Sequence, residues 1–420
     1  MPRFPARAAA LVGWAVLATF QFGFGVSELN GVHESLTCDT GSACGGLSDS
    51  AFGTVTAMFT LGGTLSSLSC SALARALRLS HRAMLGAAAE LSLAGALVLA
   101  SAHSALAIGA ARLIQGLAAG LAATLVPVVL ADLAPPAIRG SVGVLNQLAI
   151  VSGIFCAQLL GTLAPPGGAW RHVPLASAAV AAVQLGGLPW ARAPASPDER
   201  DAMWHYAAVP RDPEDASSPA PATPPTALPH GLAVILLTQL AQQLSGVNAI
   251  LYYSTGILAG VLHGAARYVG VAITVVNALM SLPPLVLIDE HRVGRKRLLV
   301  GSAAGMGASC LVLAYSLAAR AQVLSALAIT AAIACFAVGL GPVPFVIMPE
   351  VVPRDAAAHA ASLGIAANWI TNAAVALAFP PLRAAFAPLD GASGALVFVL
   401  FGCINLASAA LIAQRYTYTI

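Results

Sequence analysis

The sequence predicts an all-α membrane protein of twelve transmembrane helices in two six-helix halves, and three observations point there. Of its 420 residues, 58% are hydrophobic and 9% charged, with a mean hydropathy of +0.82, far from the roughly 25% charged fraction of soluble domains. Apolar segments near the roughly 20 residues that a spanning helix needs fall at about 8–27, 51–74, 83–101, 105–131, 141–164, 172–191, 231–262, 266–289, 297–319, 322–348, 357–379 and 393–414. With a cytoplasmic N-terminus, most of the 20 basic residues sort to that side, from Arg3 and Arg7 through Arg295 and Lys296 to Arg415, and only Arg171, Arg267, Arg320 and Arg383 to the other. Positive charge thus lies inside over both halves, which places both termini in the cytoplasm and supports the helix count.

These numbers also exclude classes. A net charge of +3 is small for this length, so nucleic acid is not an expected partner. No nucleotide-binding loop is visible, and neither an enzyme, a cofactor nor a metal is expected. Cys38 and Cys44 share the polar loop 36–49 and form a possible disulfide if that loop faces an oxidising compartment; as a metal pair they have only His33 nearby. Cys70, Cys156, Cys310, Cys335 and Cys403 sit in apolar runs and read as small buried hydrophobes.

Taken in order, residues 1–191 make the first bundle. Span one is retained rather than cleaved, since its apolar run continues to Val26; it holds Phe20-Gln21-Phe22-Gly23-Phe24 and ends near Glu28. Span four carries Arg112, which is costly in lipid and needs a partner; it is expected near the cytoplasmic end, with Asp132. Span five bears Gln147 and Gln158, eleven residues apart and so on one face, about 16 Å from each other. Residues 192–229 are polar and then rich in Pro, Ala, Ser and Thr, the composition of a cytoplasmic linker, partly helical or disordered. The second bundle covers 230–420. Its loop His291-Arg-Val-Gly-Arg-Lys-Arg297 weakly mirrors Arg78-Leu-Ser-His-Arg82 in the first half, an internal repeat. Span eight has one amide, Asn277. Span ten reads Gly339-Leu-Gly-Pro342-Val-Pro344-Phe345 and then Pro349-Glu350; two prolines forbid a straight helix and suit a gating hinge, or else a static kink. Span eleven supplies Asn368, Trp369 and Asn372, the asparagines on one face.

Span seven is the most informative. Thr238 to Thr255 carries three glutamines, an asparagine and two tyrosines inside an apolar run. Gln239, Gln242, Gln243 and Gly246 fall on one helical stripe. Asn248 lies half a turn off it, and joins it only if the helix loosens near Ser245-Gly246. Unpartnered amides are expensive in hydrocarbon, so these face a cavity or act as glue between helices.

Gln242-Gln-Leu-Ser-Gly-Val-Asn248-Ala-Ile-Leu-Tyr252-Tyr253-Ser-Thr resembles the seventh-helix signature of facilitative glucose transporters, the sugar porter branch of the major facilitator superfamily. The resemblance implies sugar binding by Gln158, Gln242, Gln243, Asn248, Asn277 and Asn372, with Phe345 and Trp369 covering the ring, and gating by Tyr252, Tyr253, Pro342 and Pro344. It implies a cytoplasmic latch from Arg82, Arg112, Asp132, Arg139, Arg295, Lys296 and Glu350. The chain departs from the pattern in several places. Proton-coupled relatives carry an acid where this chain has Gly25, which favours uniport, with Glu28 or Glu90 as the acids a symporter would use instead. Phe345 replaces the usual Trp. An arginine expected at Ala357 is absent, and the motif after span six is reduced to Pro194-Ala-Ser-Pro197. The expected function is a monomeric carrier of a hexose or other neutral polyol in a lipid bilayer. Proton-coupled symport and a non-transporting sugar sensor are the alternatives.

Overall fold

In the first half, α1 (Ala6–Ser27) is followed by the short α2 (His33–Thr37), then by α3 (Asp49–Ala76), α4 (His81–Ala100), α5 (Ala105–Leu133), α6 (Arg139–Leu163) and α7 (His172–Gly187). The structure, a computed structural model, describes residues 5–37, 47–164, 168–192, 227–250, 269–290, 293–390 and 395–417. Serines open three of these helices. The hydroxyls of Ser48, Ser80 and Ser104 accept from the N–H groups of Ala51, Ala83 and Ala107 at 3.3, 3.2 and 3.2 Å, satisfying donors that a first turn leaves unpaired.

The second half runs through α8 (Ala227–Leu244), α9 (Val269–Met280), α10 (Pro284–Leu287), α11 (Gly294–Ala318), α12 (Gln322–Val338), α13 (Val343–Ile347), α14 (Arg354–Asp390) and α15 (Ala395–Arg415). Spans seven and ten are each interrupted, at 245–246 and 339–342. Among the described residues there is no strand, and 11 helical segments are long and apolar enough to cross a membrane. Span six is the shortfall against twelve: α7 has 16 residues, about 24 Å of helix against a hydrocarbon core of about 30 Å.

Within the halves, α3 packs on α5, α1 on α6, and α11 on both α12 and α15; between them, α3 meets α14 and α6 meets α9. The largest apolar core belongs to the second half but reaches across through Phe59, Ala123, Val144 and Ile150. A second core gathers Ala8 at the start of α1 with Leu133 and Ala191, and Thr417 lies 3.4 Å from His230 at the start of span seven. Both described chain ends therefore lie where spans four and six stop and span seven starts, here called the terminal face. Cys403, expected to be buried, is exposed on α15. Cys38, Cys44, Tyr252, Tyr253 and nearly all of the linker lie outside the described residues.

Candidate functional site

Span seven breaks where its glycine sits. α8 stops at Leu244, Gly246 has φ +78°, and helix resumes at Val247. That left-handed backbone suits glycine. The ends are capped by Ser245, whose hydroxyl donates to the Gln242 carbonyl at 2.7 Å and accepts from the Val247 N–H at 3.3 Å. Asn405 of α15 donates to the Ser245 carbonyl at 2.9 Å. The break swings Asn248 back towards the amide stripe, where its Nδ2 donates to Gln243 Oε1 at 3.1 Å.

The amides then divide into two kinds. Gln239 and Gln242 are buried. Gln242 Nε2 donates to the carbonyls of Leu340 and Gly341 at 2.7 and 2.9 Å, groups released by the break that Pro342 and Pro344 impose between α12 and α13. Gln239 donates to the Pro344 carbonyl at 3.4 Å. Both are glue that holds a broken helix. Gln243, Asn248 and Asn372 are only half-buried, and Gln243 Oε1 accepts from Asn248 and from Asn372, at 3.1 and 3.0 Å. Asn368 joins the two groups: its Nδ2 donates to Gln239 Oε1 and Gln242 Oε1 at 2.8 and 2.7 Å, and its Oδ1 accepts from Gln243 at 2.9 Å.

Beside Asn368 the indole of Trp369 is 6% exposed, and its Nε1 is buried without a hydrogen-bond partner among the described residues. Phe345 is buried on α13 and belongs to the same core as Trp369.

From the first half, Gln147 rather than Gln158 reaches this cluster. A Cβ on Gly341 would lie 3.3 Å from Gln147 Nε2, next to the carbonyl that Gln242 holds. Gln158 Oε1 instead accepts from the Ser27 hydroxyl at 3.0 Å, and its amide abuts Gly270 at the start of α9. The two glutamines share a face of α6, and depth, which periodicity does not fix, separates their surroundings. Asn277 lies two turns from Gly270, with its Oδ1 buried and unpartnered among the described residues.

Arg112 corrects a second expectation. It lies seven residues into α5, away from the terminal face, and its partner is Glu28 at the end of α1, at 3.3 Å. Asp132 is twenty residues further along the same helix, about 30 Å away. Gln115 completes the cluster, accepting from Arg112 at 3.1 Å and donating to Glu28 Oε2 at 2.9 Å. Glu28 and Arg112 are each 1% exposed, so Glu28 is no solvated loop carboxylate. Its Oε1 has no hydrogen-bond partner among the described residues. Glu90 is exposed on α4.

At the terminal face, Arg295 grips Glu350 with two hydrogen bonds, at 2.9 and 2.8 Å, and lies 3.0 Å from Asp289. Asp289 in turn accepts from the first N–H groups of α6, Gly140 at 3.1 Å and Ser141 at 2.7 Å, where a helix N-terminus favours negative charge. This link crosses the halves. Asp289 was not among the expected latch residues, although it immediately precedes the basic loop of span eight. Arg82 stays within the first half, donating to the Leu188 carbonyl at 2.9 Å. Lys296 is half-buried at the start of α11, Asp132 is exposed at the end of α5, and Arg139 opens α6.

The family described as sugar (and other) transporter matches residues 9–197 and 227–419. Facilitated glucose transporter member 4 of Mus musculus is 29% identical, covering 93% of this chain and 84% of its own. Facilitated glucose transporter protein 1 of Caenorhabditis elegans is 28% identical over 87% of this chain and 81% of its own. Among solved structures, a proton:xylose symporter bound to 6-bromo-6-deoxy-D-glucose superposes with a TM-score of 0.80 at 20% identity, covering 97% of this chain and 96% of that one. The inward-open xylose transporter of E. coli gives 0.69 at 20% identity over 98% and 97%. The profile runs through both halves, the helical architecture is that of the major facilitator superfamily, and this chain is a multi-pass membrane carrier of the sugar transporter family, not an enzyme.

Proposed function

We propose that the protein moves a neutral hexose or related polyol across a bilayer by alternating access, as a monomer, with residues 1–191 rocking against 230–420 around a midplane site. The half-buried trio Gln243, Asn248 and Asn372, with the indole N–H of Trp369 unpartnered among the described residues one step along α14 from Asn368, carries this reading. Sugar hydroxyls donate and accept at once. They match the amide oxygens of Asn248 and Asn372 as acceptors and the indole as donor. The trio contains no charged side chain, which suits an uncharged solute. Gln147, Asn277 and Phe345 close the site from the other sides. The glucose and xylose in the relatives' names support the same solute class.

In this reading the terminal face is cytoplasmic, on the basic-residue bias, and Asp289, Arg295 and Glu350 hold it shut while the opposite side admits sugar. Tyr252 and Tyr253, outside the described residues, keep the gating role that the resemblance implies, and the break at Pro342 and Pro344 flexes. Uptake of labelled D-glucose, D-xylose and myo-inositol into proteoliposomes tests it: saturable uptake by the parent is expected, with about tenfold more sugar needed for half-saturation in Gln243→Ala. No saturable uptake of any of the three would overturn it.

Proton-coupled symport is a second reading, favoured by one observation. The missing acid at Gly25 favours uniport, yet Glu28 lies buried on Arg112 with one oxygen unpartnered among the described residues, the setting of an intramembrane proton carrier. Accumulation of sugar driven by an imposed pH gradient, abolished in Glu28→Gln, decides for symport. Equal equilibration with and without the gradient decides for uniport.

A further inference from the structure

We propose that Phe59 is a positioning residue that links the Glu28–Arg112 pair to the sugar site through Trp369. The proposal rests on the reading above that Trp369 lines that site. Two ring contacts and one step along α14 make the path. The Arg112 guanidinium carbon lies 4.3 Å from the centre of the Phe59 ring. Phe59 meets the Trp369 indole edge-on, with centroids 5.8 Å apart. Trp369 adjoins Asn368, the hub of the glutamine cluster.

The ring has no slack. A Cβ on Gly25 would sit 2.8 Å from the Phe59 ring, and one on Gly116 would strike its backbone. On the far side, Phe22 lies 5.3 Å from the indole, and a Cβ on Gly63 would meet the indole at 2.5 Å. Close-packed interiors pass displacement on rather than absorbing it. The same geometry explains the sequence departure at position 25: the space an acidic side chain would enter there is filled by Phe59. Glu28 reaches Arg112 from one turn further along.

Neutralising Glu28 removes the charge that draws the guanidinium towards α1. The cation then keeps Gln115 and the face of Phe59 as its partners. The ring shifts against Trp369, and the indole donor moves in the sugar site. Linkage requires the reverse as well: sugar that reorients Trp369 changes how strongly the pair is held.

Equilibrium binding of tritiated D-glucose and D-xylose to the purified full chain in nanodiscs tests this, using the parent, Glu28→Gln, Phe59→Leu and the double variant. Glu28→Gln is expected to change the sugar Kd by about fivefold or more in the parent and by less than about twofold in the Phe59→Leu background. The same factor in both backgrounds, or no change in either, overturns the proposal. Absence of binding by the parent would count against the sugar site instead. The link is then read without ligand, from the fluorescence of Trp369 taken as the difference from Trp369→Phe. Glu28→Gln is expected to shift that emission in the parent but not with Phe59→Leu or Phe59→Met, and an unshifted spectrum overturns the proposal.

Discussion

The carboxylate of Asp289 accepts two hydrogen bonds from Ser141, one from its N–H and one from its hydroxyl, each at 2.7 Å. One residue belongs to the end of span eight and the other to the start of span five, so the contact ties the two halves at the terminal face. Arg295 keeps Asp289 in place from the other side, at 3.0 Å.

Asp289→Asn should loosen that tie. The charge at the helix N-terminus is lost and Ser141 keeps a weaker partner, a change of about 1–2 kcal/mol that raises the population open at the terminal face by roughly five- to thirty-fold. Cys70 reports it, because it is 1% exposed on α3, the helix that packs against α14 across the seam between the halves. Site-resolved thiol labelling should be faster at Cys70 in the variant; an unchanged rate would rule out Asp289 as a latch.

Gln242→Ala and Gln243→Ala should differ in kind. The first leaves the carbonyls of Leu340 and Gly341 unpaired, at a cost of about 1–3 kcal/mol, and lowers the melting temperature. The second removes a half-buried amide and weakens sugar binding by about tenfold, from one to two net hydrogen bonds, with little effect on melting. Thermal unfolding and equilibrium binding on the same preparations separate the two, and a matched loss of both properties in both variants would contradict the division into glue and site.

Gly246→Ala should destabilise span seven on two grounds. Its φ of +78° costs an L-residue roughly 1–2 kcal/mol, and the added methyl would lie 2.6 Å from the Phe401 ring. A fall in melting temperature of several degrees is expected, with sugar affinity reduced because Asn248 loses its place beside Gln243. Gly301→Ala, where a Cβ meets nothing within 4 Å, is the control and should melt as the parent does.

Glu28→Ala should cost about 3–5 kcal/mol, since it strands a buried guanidinium, and should show as poor yield or early melting. Adding Arg112→Met removes the stranded charge and restores most of the loss. A double variant no better than the single would mean that the pair is not what determines stability there.

Gly25→Asp should be tolerated only with a smaller neighbour. Its Cβ overlaps the Phe59 ring at 2.8 Å, an overpacking cost of about 1–3 kcal/mol, which Phe59→Ala relieves. Melting of the single and double variants is the measurement, and equal melting would mean that Phe59 does not occupy that space.

The architecture was legible because the bilayer imposes it: spanning segments must be apolar, helical and about 20 residues long. The amide stripe of span seven was legible from its period. A break at Ser245-Gly246 was legible as the condition for Asn248 to join that stripe, because nine residues of ideal helix turn it away. Sequence by itself therefore determined a helical carrier with a polar seventh span.

Tertiary structure alone decided which amides are glue and which are half-open, since Gln242 and Gln243 differ only in whether a broken helix presents carbonyls to them. It also set Gln147 beside Gly341 and Gln158 beside Ser27, gave Arg112 to Glu28 rather than to Asp132, and joined Asp289 to Arg295 and to the start of α6. Each of these depends on depth along a helix and on which helix stands opposite, and a one-dimensional period carries neither.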